Sequence, residues 1–214
     1  MTQNKNGTED LRVRRTRLFL QNAFIELSIE KDFSSVTIAD ITERAMVNRS
    51  TFYRHFQDKY DLLDKYMDDL YHLLDLSETA SPEPQGSPPI GLIQMMEHLQ
   101  VRSDFYRSML GPKGYPPFAE KIREYIERRI GRSLPTDISQ QQQGQPPLGM
   151  ILSSISNAAV GAIRWWLENG TPYTPLQMAI WSVQLSNAYL RFSSAENKVQ
   201  SVEAKRMDLD KKAG

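Results

Sequence analysis

The sequence predicts an all-α fold, and three observations predict it. Apolar residues recur at helical spacing in segment after segment. The strict alternation that marks half-buried strands is weak throughout. Stretches rich in proline, glycine or serine separate the periodic runs.

Leu11 to Ile29 reads as an amphipathic helix, its apolar stripe traced by Val13, Leu18, Phe19, Ala23, Phe24 and Leu27. Thr37 is a good N-cap for a second helix of about two turns. Asp40 stands three residues on, where the capping box has a longer acid. Met46-Val47-Asn48 makes a tight connection to a third short helix, from about Arg49 to Phe56. After Gln57-Asp58 a longer helix begins, with Tyr60, Leu63, Tyr66, Met67, Leu70, Tyr71 and Leu74 on its apolar side, and ends near Ser77. The segment Ser81 to Pro89 cannot be helix interior and reads as a linker or exposed loop.

A single helix is expected from Ile90 to Leu110, stopped by the run GPKGYPP from Gly111. Phe118 to Ile130 is another, with Gly131 as its C-cap. A polar loop follows to Pro147. Two strong helices close the fold. One runs from Gly149 to about Glu168 with Gly170 as its stop, the other from about Thr174 to Phe192 with Pro175 at its first position. Residues 193–214 are polar and read as a frayed or disordered tail.

Composition narrows the function. There is no cysteine, which excludes disulfides and thiolate metal sites and suits a reducing compartment. His55, His72 and His98 form no short metal-ligand motif, and no cofactor is expected. No glycine-rich phosphate loop or nucleophile elbow points to an enzyme. No signal peptide or membrane-spanning run is visible, so a soluble, cytoplasmic protein with no membrane partner is expected. Basic and acidic residues balance at 26 each, yet they are unevenly spread. Arg12, Arg14, Arg15 and Arg17 cluster at the start, and Arg49, Arg54 and Lys59 follow. Acid gathers after them, in Asp61, Asp64, Asp68, Asp69, Asp75 and Glu78. That distribution suits a polyanion bound at one end only.

The stretch Thr37 to Lys59 carries the chemistry. Two short helices about three residues apart, anchored by Ile38, Ile41, Ala45, Val47, Phe52 and Phe56, make a helix-turn-helix pattern. The second presents Ser50, Thr51, Tyr53, Arg54 and His55, with Arg49 at its front, and carries no acid. Such a helix can enter a major groove, with double-stranded DNA as partner. Tyr53 would also fit a core tyrosine with its hydroxyl at the rim, and His55 a packed histidine.

From about Arg15 to Leu63 the chain resembles the N-terminal domain of the TetR family of bacterial transcriptional regulators. The resemblance rests on TIADITERAMV and STFYRHFQDKYDLL, with Thr37, Ala45, Tyr53, His55, Phe56 and Lys59 on the family pattern. Met46-Val47-Asn48 departs from it, because the turn lacks its usual glycine. The resemblance implies phosphate contacts from Thr37, Tyr53, His55 and Lys59, and base reading from Ser50, Thr51 and Arg54. It also implies an inverted-repeat operator, bound by a repressor that a small-molecule effector releases. A regulator without a ligand in use, controlled by a partner and acting as an activator, is the alternative.

The later stretches SDFYRSML from Ser103 and AVGAIRWWLENG from Ala159 resemble the C-terminal domain of a TetR subgroup common in low-GC Gram-positive bacteria. That resemblance implies a four-helix homodimer interface from the last two helices. Ile151, Ile155, Ala158, Ala162, Trp181, Leu185 and Ala188 are the expected contacts, with a monomeric helical core as the other reading. Phe105, Tyr106, Met109 and Trp165 could line an effector pocket, although such residues are more often simple core. The expected organisation is thus a helix-turn-helix DNA-binding domain over 9–60 and a helical regulatory and dimerisation domain over 61–192. Loops are expected near 78–89 and 131–147.

Overall fold

The computed structural model describes residues 5–78, 87–133 and 146–190. The expected tail from residue 193, and the middles of the expected loops at 78–89 and 131–147, lie outside the described residues. Every regular element among the described residues is helical. In chain order these are α1 (Lys5–Glu30), a 3-10 turn (Phe33–Ser35), α2 (Ile38–Arg44), α3 (Arg49–His55), α4 (Lys59–Glu78), α5 (Ile90–Val101), α6 (Ser103–Leu110), α7 (Pro116–Ser133), α8 (Leu148–Glu168) and α9 (175–190). They form two compact units. The first runs through α6 to Phe118, and the second takes the chain from Ala119 onward.

In the first unit α1 is the common support, packed against α2, α4 and α6. Its buried face is Leu20, Ala23, Phe24, Ile25 and Leu27. The expected stripe is corrected at its N-terminal half, since Val13, Leu18 and Phe19 are exposed. Phe24 lies edge-on to Phe33 at 6.0 Å and to Phe105 of α6 at 6.2 Å, the geometry that aromatic quadrupoles favour. Full burial of such a ring is worth roughly 2–3 kcal/mol. Beside it, the Ser108 hydroxyl donates to the Ser28 carbonyl at 2.6 Å, tying α6 to α1 across 80 residues of sequence.

The helix expected from Ile90 to Leu110 is in fact two. At Arg102 the backbone leaves helical geometry, with φ −107° and ψ 27°. The two halves of the apolar pattern serve different neighbours, which explains the break. α5 packs on α4, while α6 turns Phe105, Tyr106 and Met109 into the core and packs on α1. Gly111 and Gly114 then reverse the chain. A side chain at Gly114 would put its Cβ 2.0 Å from the Met109 carbonyl oxygen, so only glycine fits there.

In the second unit, α8 buries Ile151, Ile155, Ser156, Ile163, Trp166 and Leu167. The expected cap at Gly131 is corrected: α7 continues through it to Ser133, with no left-handed φ at the glycine. The stop at Gly170 is as expected. Its φ is 75°, its N–H donates to the Leu167 carbonyl, and the Thr171 N–H reaches the Trp166 carbonyl at 2.9 Å. This is a Schellman ending. The Trp166 indole N–H donates to the Tyr173 carbonyl, fixing the return of the chain. Thr174 and Gln177 cap α9 reciprocally, with Pro175 at the first helical position.

α2 ends with the same Schellman bonds. The Met46 N–H donates to the Glu43 carbonyl and the Val47 N–H to the Thr42 carbonyl, both at 3.0 Å. Here the left-handed residue is Met46, with φ 53° and 92% of its surface exposed. The glycine missing from the sequence pattern is therefore missing where its backbone freedom is needed. A Cβ in this region costs about 1 kcal/mol, and the exposed Met46 side chain does little to offset it. Met46→Gly should raise unfolding stability by about 1 kcal/mol in urea titrations, while Met46→Ala gives no such gain. A destabilised glycine variant would contradict the strain argument.

Candidate nucleic-acid interface

α3 turns two aromatic rings inward and its polar groups outward. Phe52 and Phe56 are fully buried, whereas Arg49, Ser50, Tyr53 and Arg54 are exposed, with Thr51 and His55 between the two. Tyr53 is 50% exposed and meets Phe52 edge-on, so it is a surface residue that rests on the core. The outward side chains form two pairs. The Arg49 guanidinium lies 5.8 Å over the Tyr53 ring and donates to its hydroxyl at 3.3 Å. The Arg54 guanidinium donates to the Thr51 hydroxyl at 2.9 Å. Each pair leaves guanidinium donors for a further acceptor, since each guanidinium has five N–H groups.

His55 is half-buried against Phe56. Its pKa lies below the ordinary histidine value because burial disfavours the cation, and Arg54, Arg17 and Lys65 repel it. The ring is therefore uncharged near neutral pH, and three cations make the surrounding field positive.

Two expected phosphate contacts have their donors committed inside the protein. Thr37 caps α2 in a complete capping box with Asp40. The Thr37 N–H and hydroxyl both donate to Asp40 Oδ2, at 2.8 and 2.7 Å, and Lys31 Nζ donates to the same oxygen at 2.6 Å. Those bonds, led by that from Lys31, hold the Asp40 carboxyl well below the usual range. Lys59, expected as a phosphate clamp, instead directs its ammonium at the carbonyls of Phe33, Ser34 and Val36, at 2.8, 3.0 and 2.9 Å. An ammonium has three donors, and these carbonyls take them all.

Further braces fix the helix-turn-helix to its supports. Arg44 of α2 forks onto Glu30 of α1, with bonds of 2.8 and 2.7 Å, and also reaches Glu26. Asp58 caps α4 by accepting from the N–H groups of Tyr60 and Asp61. Lys65 Nζ donates to the last carbonyl of α3, that of His55, and to Asp61. None of Arg44, Asp58 or Lys65 stood out as a site residue in the sequence. Glu30 and Arg44 lie 14 residues apart in different helices, with no local pattern to link them.

The other expected residues lie elsewhere. Phe105, Tyr106 and Met109 are buried in the first unit's core. Next to Tyr106, the Tyr66 hydroxyl lies 3.0 Å from His98 Nε2, and burial with Arg102 nearby pulls His98 down to about 4. Trp165 is half-exposed and stacks on Tyr173 in the second unit. Of the expected interface residues, Ile151 and Ile155 are buried within the protomer, a correction that removes them from any exposed face. Ala158, Trp181, Leu185 and Ala188 are exposed, and Ala162 is half-buried. Among the described residues, no group of three or more His, Asp or Glu is placed to hold a metal ion. None of the described helices is long and apolar enough to cross a membrane.

Comparison with known proteins agrees with this geometry. The family model "Bacterial regulatory proteins, tetR family" matches residues 22–66, which hold the back of α1 through the front of α4. A TetR model described as "Transcriptional regulator C-terminal region" matches residues 87–187. The HTH-type transcriptional regulator YxbF of Bacillus subtilis (strain 168) is 47% identical over 55 residues, 25% of this chain and 14% of that protein. The chain thus matches about a seventh of that relative's length. A TetR transcriptional regulator from Streptococcus agalactiae 2603V shares the fold with a TM-score of 0.61 at 22% identity, over 84% of this chain and 97% of that one. The dihydroxyacetone kinase operon activator DhaS does so with a TM-score of 0.60 at 17% identity, over 83% and 97%. With one matched region on the helix-turn-helix and the other on the helices from residue 87 onward, the chain belongs to the TetR family and is a DNA-binding transcriptional regulator.

Proposed function

We propose that the protein binds an inverted-repeat operator in the cytoplasm as a two-fold homodimer and represses transcription until a small-molecule effector releases it. The carrying observation is the outer face of α3, a helix with no acid of its own, where Arg49, Ser50, Thr51, Tyr53 and Arg54 stand above a buried Phe52–Phe56 base. A short, rigid, acid-free helix backed by aromatic rings fits a major groove. In this reading Arg49, Tyr53 and His55 meet phosphates, while Ser50, Thr51 and Arg54 read bases. Thr37 stands at the edge of the duplex, and its hydroxyl reaches a phosphate by giving up Asp40.

Dimerisation is supported by the apolar surface along α9, where Leu176, Trp181, Leu185 and Tyr189 are exposed together with Ala188. The polar Tyr66–His98 pair, beside the buried Tyr106 hydroxyl, supports an effector that brings hydrogen-bonding groups. A second reading is activation without a small-molecule effector. It is supported by the full burial of Phe105 and Tyr106 among other aromatic rings, and by the structural neighbour DhaS, which is an operon activator.

The test is a binding-site selection followed by titration of the selected and random duplexes over a salt series. An asymmetric or structureless motif would count against the two-fold operator. Arg49→Ala should weaken both duplexes almost equally and lower the slope of log affinity against log salt by about one charge per subunit. Thr51→Ala should change base preference by about 1 kcal/mol and leave that slope alone. Part of its effect should come through Arg54, which Thr51 orients.

Acid should strengthen binding. The free His55 has a depressed pKa, and a phosphate beside it favours the cation, so the complex binds a proton that the free protein does not. Affinity should rise as pH falls from above the ordinary histidine value of about 6.5 toward the lower free value. His55→Gln should flatten the profile, and an equally steep profile in that variant would remove His55 from the contact set. For assembly, Leu185→Glu should convert a dimer to a monomer in sedimentation at micromolar concentration. A monomeric unaltered protein would end the dimer reading.

A further inference from the structure

The corner between α6 and α7 reaches back to the helix-turn-helix. Its backbone is held by its own bonds. The Gly114 N–H donates to the Gly111 carbonyl at 3.0 Å, and the Tyr115 N–H donates to the Met109 carbonyl at 3.1 Å. Gly114 lies so close to the Met109 carbonyl that no side chain fits there. Beyond the corner, the Tyr115 carbonyl accepts from the Phe118 N–H at 2.8 Å. Pro116 opens α7 with its φ set by the ring, and a proline holds the residue before it in extended backbone. The chain on both sides of Tyr115 is thus pinned. Its half-buried ring stacks on Phe33 with centroids 4.6 Å apart and meets Tyr60 at 5.4 Å. Phe33 and Tyr60 meet each other edge-on at 5.5 Å, which closes a triangle of rings.

The two partners of Tyr115 stand at particular places in the chain. Phe33 opens the 3-10 turn that leads to Thr37, the cap of α2. Tyr60 lies in the first turn of α4, the helix that follows α3. One ring is therefore at the entry to the α2–α3 pair and the other at its exit, and Tyr115 touches both. Tyr115 itself belongs to the region matched at 87–187, outside the 22–66 that carry the helix-turn-helix. The compact unit around the helix-turn-helix nevertheless extends to Phe118 and includes it. We propose that Tyr115 is a positioning residue for sequence-specific DNA binding, clamping the entry and exit of the helix-turn-helix together so that α2 and α3 meet the duplex in one fixed arrangement. The proposal rests on the reading of α3 as the groove helix. Without the ring the two flanking turns sample other arrangements, and apparent affinity falls with the competent fraction.

The ratio of operator to random affinity supplies the test. The unaltered protein, Tyr115→Phe and Tyr115→Leu would be titrated with a selected operator and with a random duplex, well below the melting temperature of each and with helicity checked by circular dichroism. Tyr115→Leu should bind the operator about tenfold more weakly, the scale of two lost ring contacts. Its affinity for random duplex should barely change, because non-specific binding is a charge interaction that tolerates a loosely held reading helix. Tyr115→Phe keeps the rings stacked and should match the unaltered protein. A merely structural role lowers the melting temperature of Tyr115→Leu and leaves the affinity ratio of the folded protein alone. That unchanged ratio would overturn the proposal, and so would a phenylalanine variant as impaired as the leucine one.

A second measurement needs no variant. In the unaltered protein bound to the operator, nuclear Overhauser contacts from the Tyr115 ring to Phe33 and Tyr60 should persist. Their loss in the complex would overturn the proposal even if Tyr115→Leu failed to fold. Absence of any salt-dependent duplex binding by the unaltered protein would overturn both readings, and would identify the groove-helix reading as the one that failed. An operator bound with full discrimination by Tyr115→Leu would remove the role of Tyr115 alone.

Discussion

Brevity is the constraint on which this structure depends. α2 and α3 have seven residues each, too few for a helix to persist alone in water. Their stability comes from ends and neighbours. The Thr37–Asp40 box closes the front of α2 and the Schellman bonds at Met46 close its back. Arg44 ties it to α1, and Lys65 closes α3 against α4. Beneath them Ile41, Phe52 and Phe56 are wholly buried. Seen this way, the polar residues around the helix-turn-helix divide into those that hold it and those left over on its outer face.

The division explains how a chain of zero formal charge can present a cationic end. Several of the acids beside the helix-turn-helix are engaged in holding it. Asp40 is taken by Lys31 and Thr37, Asp61 by Gln57 and Lys65, and Glu30 by Arg44. The guanidiniums of Arg49 and Arg54 donate to the neutral hydroxyls of Tyr53 and Thr51. At His55 the positive field comes from Arg54 together with Arg17 and Lys65, the last two of which also pair with Asp69 and Asp61.

Much of the fold was legible in the sequence because it is written in local chemistry. The Thr37 cap, the short pair of helices, the Gly170 stop and the Pro175 start each depend on residues within a few positions of one another. What was not legible depends on distant partners. Periodicity alone placed Val13, Leu18 and Phe19 inside, but α1 buries the face that α2, α4 and α6 cover. No glycine or proline announces the break at Arg102, which follows from the different neighbours of α5 and α6. Ile151 and Ile155 read as surface residues awaiting a partner because apolar character does not tell one burial from another. The polar, acid-free outer face of α3 was legible, whereas the inward turn of Lys59 was not. Its ligands are backbone carbonyls 23 to 26 residues away, and a carbonyl leaves no trace in residue type.

The link between α1 and α6 bears on biosynthesis. Phe24 and Ser28 meet Phe105 and Ser108, which the ribosome adds 80 residues later. At about 5–20 residues per second, the first helix waits several seconds for the segment that covers it. During that interval α2 and α3 are already synthesised, on a support whose α6-facing apolar residues are still open to water. The part of the protein made first is thus among the last to be secured. A chain cut short before α6 would carry the whole helix-turn-helix sequence on a first helix that lacks its α6 contacts.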